Sequence, residues 1–382
     1  MIKIAYIIPN IEVGGTEKHL LSLVKNLDRA RFTPILITTA GGGALYASFK
    51  PLLPVYVLGG DSSQARRSPP KNPLVHLRTI RDMVDLLKEQ APHFVHAYLP
   101  AANALGPITA RLAGVPRVIV SKRSLANYKK GHPFVSRLES LGNLLSDVIL
   151  ANSQAVRNEV KKTEYFSGNK IEVIYNGVEL PARWDAARRS EFRKSEGLPE
   201  NAVLAVCVSN FFAYKGHEEL IRAAAIIKKD HPELLYLLIG RDAGNMAASQ
   251  KLAAELGVED KLRFLGVKDN PADYMRASDL FIHPSRQEGF SNSILEAMAA
   301  GLPIAACDVG GNAEAVTDRI TGRLAPKENA PVLAEAISYV LKDPSGMRHM
   351  GEAGRARAED LFSIKRMVSG VEELYERLAD HA

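Results

Sequence analysis

His283-Pro284-Ser285-Arg286-Gln287-Glu288-Gly289-Phe290-Ser291-Asn292-Ser293-Ile294-Leu295-Glu296-Ala297-Met298-Ala299-Ala300-Gly301-Leu302-Pro303 is the stretch whose reading sorts this chain. Leu280–His283 reads as the end of a buried strand, Pro284 to Ser291 as a tight loop, and Asn292–Ala300 as a helix. Ser291 or Asn292 makes a good N-cap. Gly289 permits a turn whose successive N–H groups form an anion nest. Glu288 precedes the helix and Glu296 lies near its second turn. On one continuous helix eight residues advance about 800°, so the two carboxylates would not share a face. They serve one ligand only if Glu288 stands in the loop.

The same strand–loop–helix rhythm runs outward in both directions. Candidate strands in the second half are Val203–Ser209, Leu234–Ile239, Arg263–Leu265, Leu280–His283 and Ile304–Cys307. In the first half they are Lys3–Ile8, Ile35–Thr39, Val55–Leu58, Phe94–Ala97, Val118–Ser121 and Val148–Ala151. Leu20, Leu23, Val24 and Leu27 between the first two strands follow helical spacing. The alternation implies an α/β chain of two doubly wound parallel-sheet domains facing a cleft. Gly177 to Pro199, with Pro181 and the single Trp184, reads as the linker. In such sheets ligands bind beyond the carboxyl ends of the strands.

Several residues at those ends can carry chemistry. Gly14 and Gly15 follow the first strand and let backbone N–H groups approach an anion. His96 and Tyr98 follow the fourth, and Lys122 and Arg123 the fifth, where an acceptor phosphate is one reading. Asn210 and Lys215 follow the first strand of the second half. Lys215 stands just before a helix and can neutralise a diphosphate, with Arg241 as a second cation. Glu288 and Glu296 bracketing the Gly289–Asn292 nest suit a ligand with hydroxyls on both sides of a phosphate, as in a nucleotide sugar.

Composition sets limits. The 382 residues suffice for two domains, with 46% hydrophobic and 24% charged residues. No run reaches the roughly 18 apolar residues of a membrane span, and Met1 to Pro9 reads as a strand, not a leader, so a cytoplasmic chain is expected. No GxGxxG or paired CxxC occurs, which argues against a dinucleotide-dependent dehydrogenase or a structural zinc site. Residues 1–180 hold 23 basic and 13 acidic side chains, whereas the remainder holds 26 and 30. That asymmetry favours an anionic partner for the first half.

The chain resembles the retaining glycosyltransferases of the GT-B fold, glycosyltransferase family 4. Glu288 to Glu296 matches their E-x7-E motif. The match extends through Ala297 to Pro303, Asp308-Val309-Gly310-Gly311-Asn312-Ala313-Glu314, Thr321-Gly322, Lys215-Gly216-His217, Asn176-Gly177-Val178 and Gly14-Gly15-Thr16-Glu17. The resemblance implies two Rossmann-like domains, an acceptor-binding one over 1–180 and a donor-binding one over 181–361, with 362–382 packing back on the first. It implies Lys215 at the leaving diphosphate, Glu288 with the Gly289, Phe290, Ser291 and Asn292 backbone on the sugar and diphosphate, and Glu296 on the ribose. Asn210 and Arg241 complete the donor site, and Gly14 and Gly15 close over it. His96 is the candidate facing the reacting sugar, with Tyr98, Lys122 and Arg123 on the acceptor side. Two departures stand out. Asn210 and Phe212 hold the positions where the family usually carries an Arg, and Tyr98 stands where many members have His.

The implied activity is transfer of a hexose or N-acetylhexosamine, with retention, from a UDP- or GDP-linked donor to a glycan or lipid-linked acceptor in cell-surface polysaccharide or glycolipid synthesis. No metal and no cofactor are expected, and no Asp-x-Asp occurs. The alternatives are a nucleotide-sugar epimerase, a glycosyl phosphorylase and a non-catalytic nucleotide-sugar-binding protein. A lipid-linked acceptor would bring the basic half to anionic lipid at the inner face of the plasma membrane, with Arg66, Arg67, Lys71 and Lys122 to Lys130 as contacts. Nucleic acid is not an expected partner.

Overall fold

The computed structural model describes residues 1–59, 73–125 and 133–380. They form two compact units: Met1–Gly177 with Ile364–Ala382, and Val178–Ser363.

The first unit holds seven strands: β1 (Ile2–Ile8), β2 (Phe32–Thr38), β3 (Val55–Val57), β4 (Phe94–Tyr98), β5 (Arg117–Lys122), β6 (Val148–Ala151) and β7 (Ile171–Val173). All are parallel, in the order β3-β2-β1-β4-β5-β6-β7. Alternate residues of β1 serve two cores. Ile4, Tyr6 and Ile8 face one, and Ala5 and Ile7 face the other. Burial on both faces is what a central parallel strand requires, and it explains the nearly unbroken apolar sequence. The helix Ile364–Asp380 closes the first core with Val368, Val371, Leu374 and Tyr375. Its Glu372 accepts from the Asp28 N–H at 2.8 Å and pairs with Arg31 at 2.6 Å.

The second unit holds β8 (Val203–Val208), β9 (Leu234–Ile239), β10 (Leu262–Gly266), β11 (Leu280–His283), β12 (Ile304–Cys307) and β13 (Gly322–Ala325), again all parallel, ordered β10-β9-β8-β11-β12-β13. In both units the chain winds outward from two central strands, β1/β4 and β8/β11. These are the switch points where an open α/β sheet leaves a crevice.

The segment read as a linker differs from expectation. Residues 178–199 belong to the second unit, where the helix Ala186–Ser195 is anchored by Arg189 and Arg193 on Asp279, at 2.5 and 2.8 Å. Two charges on one carboxylate turn a hydrophilic stretch into packed structure. Strands β7 and β13 were not anticipated. The first has only three residues, and the second opens with Gly322 and Arg323, which carry little strand signal.

Candidate functional site

Lys215 and Glu288 come from opposite sides of the β8/β11 switch point. Lys215 ends a 3-10 turn, Ala213–Lys215, that follows β8. Glu288 stands in the loop after β11, before the Asn292–Ala300 helix. Three contacts weld the two loops. The Arg286 N–H donates to the Tyr214 carbonyl at 2.8 Å, the Ser285 hydroxyl to the same carbonyl at 3.3 Å, and Gly216, at φ +71°, lies against the Pro284 carbonyl. A Cβ at Gly216 would strike that carbonyl. Gly310, at φ +53°, likewise lets its chain pass over the Glu288 carbonyl.

The ammonium of Lys215 donates to Glu288 Oε1 at 2.5 Å, and His283 Nε2 meets the same oxygen at 2.8 Å. Burial alone would push the Glu288 carboxyl up, but Lys215 and the His283 contact outweigh it and hold the carboxyl well below the usual carboxylate range. Burial likewise works against the Lys215 charge, and Glu288 overrides it and raises the ammonium above its ordinary value. The result is an ionised pair at the ends of β8 and β11.

Around it, Ser291 is the N-cap, accepting from the Ile294 N–H at 3.4 Å. Its hydroxyl is thereby committed to the helix. The Phe290 ring is buried against Phe362 at 5.3 Å, so that residue faces the site through its backbone only. Gly289 is held through its carbonyl, which accepts from the Gly311 N–H at 2.9 Å. Asn292 and Glu296 are half-buried on the first two turns of the helix. Asn210 accepts from the Arg241 N–H at 3.0 Å, which ties the ends of β8 and β9 together, while the Arg241 side chain is exposed. Arg286, unassigned from sequence, is neutralised by Glu219 at 2.5 Å and Glu218 at 3.2 Å.

The first unit corrects three expectations, for His96, Lys122 and Tyr98. His96 is not presented to a substrate. On β4 it shares the face of Phe94 and Tyr98, beneath the C-terminal helix, and is fully buried. Its Nδ1 lies 2.7 Å from the Tyr375 hydroxyl and its Nε2 2.8 Å from that of Ser121. Burial lowers it to about 3, so it stays neutral and structural. Lys122 is not a surface cation. It falls on the opposite face of β5 from Ser121, and its ammonium is 3.0 Å from Glu139 and 2.8 Å from Glu164, all three nearly inaccessible.

Tyr98 is also fully buried, stacked on His96 at 4.4 Å. Arg123 lines a cavity with Thr16, Pro100, Asn103 and Ser124, and Lys122 borders the same cavity although its ammonium is turned to Glu139 and Glu164. The Arg123 guanidinium donates to Asn176 at 2.5 Å. Burial pulls Arg123 down to about 10, still fully charged at neutral pH. Gly14 caps and Gly15 begins the helix Gly15–Asn26, and the Glu17 carboxylate folds back against Gly14. That helix end already has a carboxyl group beside it, and burial raises the Glu17 pKa above its ordinary value. Arg66, Arg67, Lys71, Lys129 and Lys130 lie outside the described residues. Among the described residues no helix is long and apolar enough to cross a membrane, and no cluster of His, Cys, Asp or Glu could hold a metal ion.

A family model for glycosyl transferases group 1 matches residues 188–357, and one for glycosyltransferase family 4 matches residues 13–181. The chain belongs to glycosyltransferase family 4. It is 33% identical over 224 residues to the D-inositol 3-phosphate glycosyltransferase of Kribbella flavida, across 56% of this chain and 53% of that protein. The chain thus spans about half the length of that relative. It is 29% identical to the N-acetyl-alpha-D-glucosaminyl L-malate synthase of Bacillus anthracis, across 77% of this chain and 75% of that one. Anabaena HepE in complex with UDP superimposes with a TM-score of 0.86 at 22% identity, covering 98% of this chain and 100% of that one. The fold of this family 4 chain is therefore GT-B.

Sequence reasoning missed three groups that shape the sites of this family 4 chain: His283, Arg286 and Glu17. His283 ends β11 and Arg286 lies in the following loop, both just before Glu288. The partner of Arg286, Glu219, lies 67 residues away, and the role of His283 rests on sharing the Glu288 oxygen with Lys215.

Proposed function

We propose that this chain is a retaining, metal-independent glycosyltransferase that uses a nucleotide sugar held by its second unit. The observation that carries the reading is the Lys215–Glu288 pair beside the Ser291-capped helix end. A diphosphate leaving group develops negative charge, and Lys215 with the helix N-terminus meets it without a metal. Glu288 then serves sugar hydroxyls and Glu296 the ribose. Arg241 is the candidate for the second phosphate cation that Asn210 and Phe212 do not supply.

The acceptor is a glycan or lipid-linked hydroxyl compound bound by the first unit. Arg123 is the cation that meets it, since the Lys122 ammonium is engaged by Glu139 and Glu164. Acceptor names among the relatives, inositol 3-phosphate and malate, support an acceptor that carries an anion. A lipid-linked acceptor would place the chain at the inner membrane face, where the net basic first unit favours anionic lipid.

The test is release of nucleoside diphosphate from UDP- and GDP-sugars with and without an acceptor extract. Stimulation by acceptor supports transfer. Conversion of the donor with no stimulation favours the epimerase reading, and no turnover with tight donor binding favours a non-catalytic binder.

A further inference from the structure

His283 closes β11 and is 1% exposed. Its ring lies nearly parallel to Phe281, at 13° and 6.1 Å, which fixes its plane. Nε2 is 2.8 Å from Glu288 Oε1, the oxygen that also takes Lys215 at 2.5 Å. Nδ1 is buried without a partner. A carboxylate only accepts, so Nε2 carries the proton and donates.

We infer that His283 is the positioning residue that keeps Glu288 in place and ionised when the donor's diphosphate draws Lys215 away. The inference rests on the donor site proposed above. Lys215 has two tasks. It neutralises Glu288, and it is the cation a diphosphate would claim. Once its ammonium turns to phosphate, Glu288 is left in a buried place that favours the neutral acid. The N–H of His283 is the remaining contact that rewards the anion, and a hydrogen bond to a charged group is among the stronger ones. A protonated Glu288 would lose one acceptor for sugar hydroxyls and would be free to rotate.

The charged and titratable groups facing this pair come from every neighbouring element. They are Lys215 and Tyr214 from the 3-10 turn, Cys207 from β8, and His217 from the helix His217–Ile227. Burial lowers His217 to about 4, and His283 and Lys215 add to that effect, so it is neutral at physiological pH and does not replace Lys215.

The experiment removes Lys215 first. In a Lys215→Met protein the infrared carbonyl band of a protonated carboxyl is followed with pH and assigned to Glu288 by its loss in Lys215→Met/Glu288→Gln. The expected result is no such band at neutral pH in Lys215→Met, a band at neutral pH once His283→Leu is added, and its disappearance when His283→Gln, which restores an N–H donor, replaces the leucine. In the otherwise wild-type chain, His283→Leu should weaken UDP-glucose binding about tenfold while leaving UDP binding within about twofold. An unchanged spectrum in the Leu double variant would overturn the inference. So would a neutral-pH band in the Gln double variant, which carries the test alone if the Leu variant fails to fold. The spectrum is independent of turnover. If no nucleotide sugar binds the wild-type chain, the donor reading fails, and the infrared result still decides the role of His283.

Discussion

The ammonium of Lys215 and the carboxylate of Glu288 are 2.5 Å apart although 73 residues separate them. The β8/β11 pairing produces that meeting, since both strands end at the same edge of the sheet and each side chain leaves from the first loop beyond it.

Removing the cation should cost turnover. Lys215→Ala is expected to lower kcat by about 10²–10³-fold, the range for loss of one group that stabilises developing charge. Glu296→Ala should act on donor KM and leave kcat nearly intact. Steady-state kinetics on the two variants checks the split, and near-normal kcat in Lys215→Ala would remove this residue from the chemistry.

The pair also sets a pH window for stability. Glu288 titrates below its ordinary value, so its contribution is present above the unfolded carboxylate value near 4.5 and is lost as pH falls through the lower folded value. Lys215 titrates above its ordinary 10.5, so its contribution is present below that value and is lost as pH rises through the higher folded one. The melting-temperature difference between wild type and Glu288→Gln should therefore be flat from about pH 5 to 10 and shrink outside it. A difference that varies steeply near pH 7 would contradict the assignment.

Lys122 should behave as a core residue. Lys122→Met removes the buried ammonium between Glu139 and Glu164 and should destabilise the first unit by about 3–5 kcal/mol in urea unfolding. Arg123→Ala should instead raise acceptor KM with little loss of stability. A stable Lys122→Met protein with a large acceptor defect would restore the surface reading of Lys122.

Much of this was legible in sequence for a physical reason. Central parallel strands are apolar on both faces, so β1, β8, β9 and β11 announce themselves, and the Ser291 cap with its following apolar helix marks the 292–300 helix at its true ends. What was not legible depends on partners distant along the chain. A lysine at a strand end reads as solvated until Glu139 and Glu164 are seen around it. His96 reads as a cleft residue until Tyr375, 279 positions later, is seen on its ring. Residue parity on β5, with Ser121 on one face and Lys122 on the other, carried part of the answer, but the helix covering each face did not follow from it.

Gly216 tests the weld between the two loops. Gly216→Ala places a methyl against the Pro284 carbonyl at a φ of +71° and should cost about 2 kcal/mol or more, together with a loss of donor affinity as Lys215 shifts. Thermal melts and donor titration on one sample check both.

The donor role of the Lys215–Glu288 pair is tested by calorimetric titration of UDP, UDP-glucose and their GDP counterparts into the wild-type chain, Lys215→Ala and Glu288→Gln. The wild type should bind one diphosphate and its sugar form. Lys215→Ala should weaken both by about tenfold or more, and Glu288→Gln the sugar form alone. Equal binding of every ligand by all three proteins, or no binding by the wild type, would contradict it.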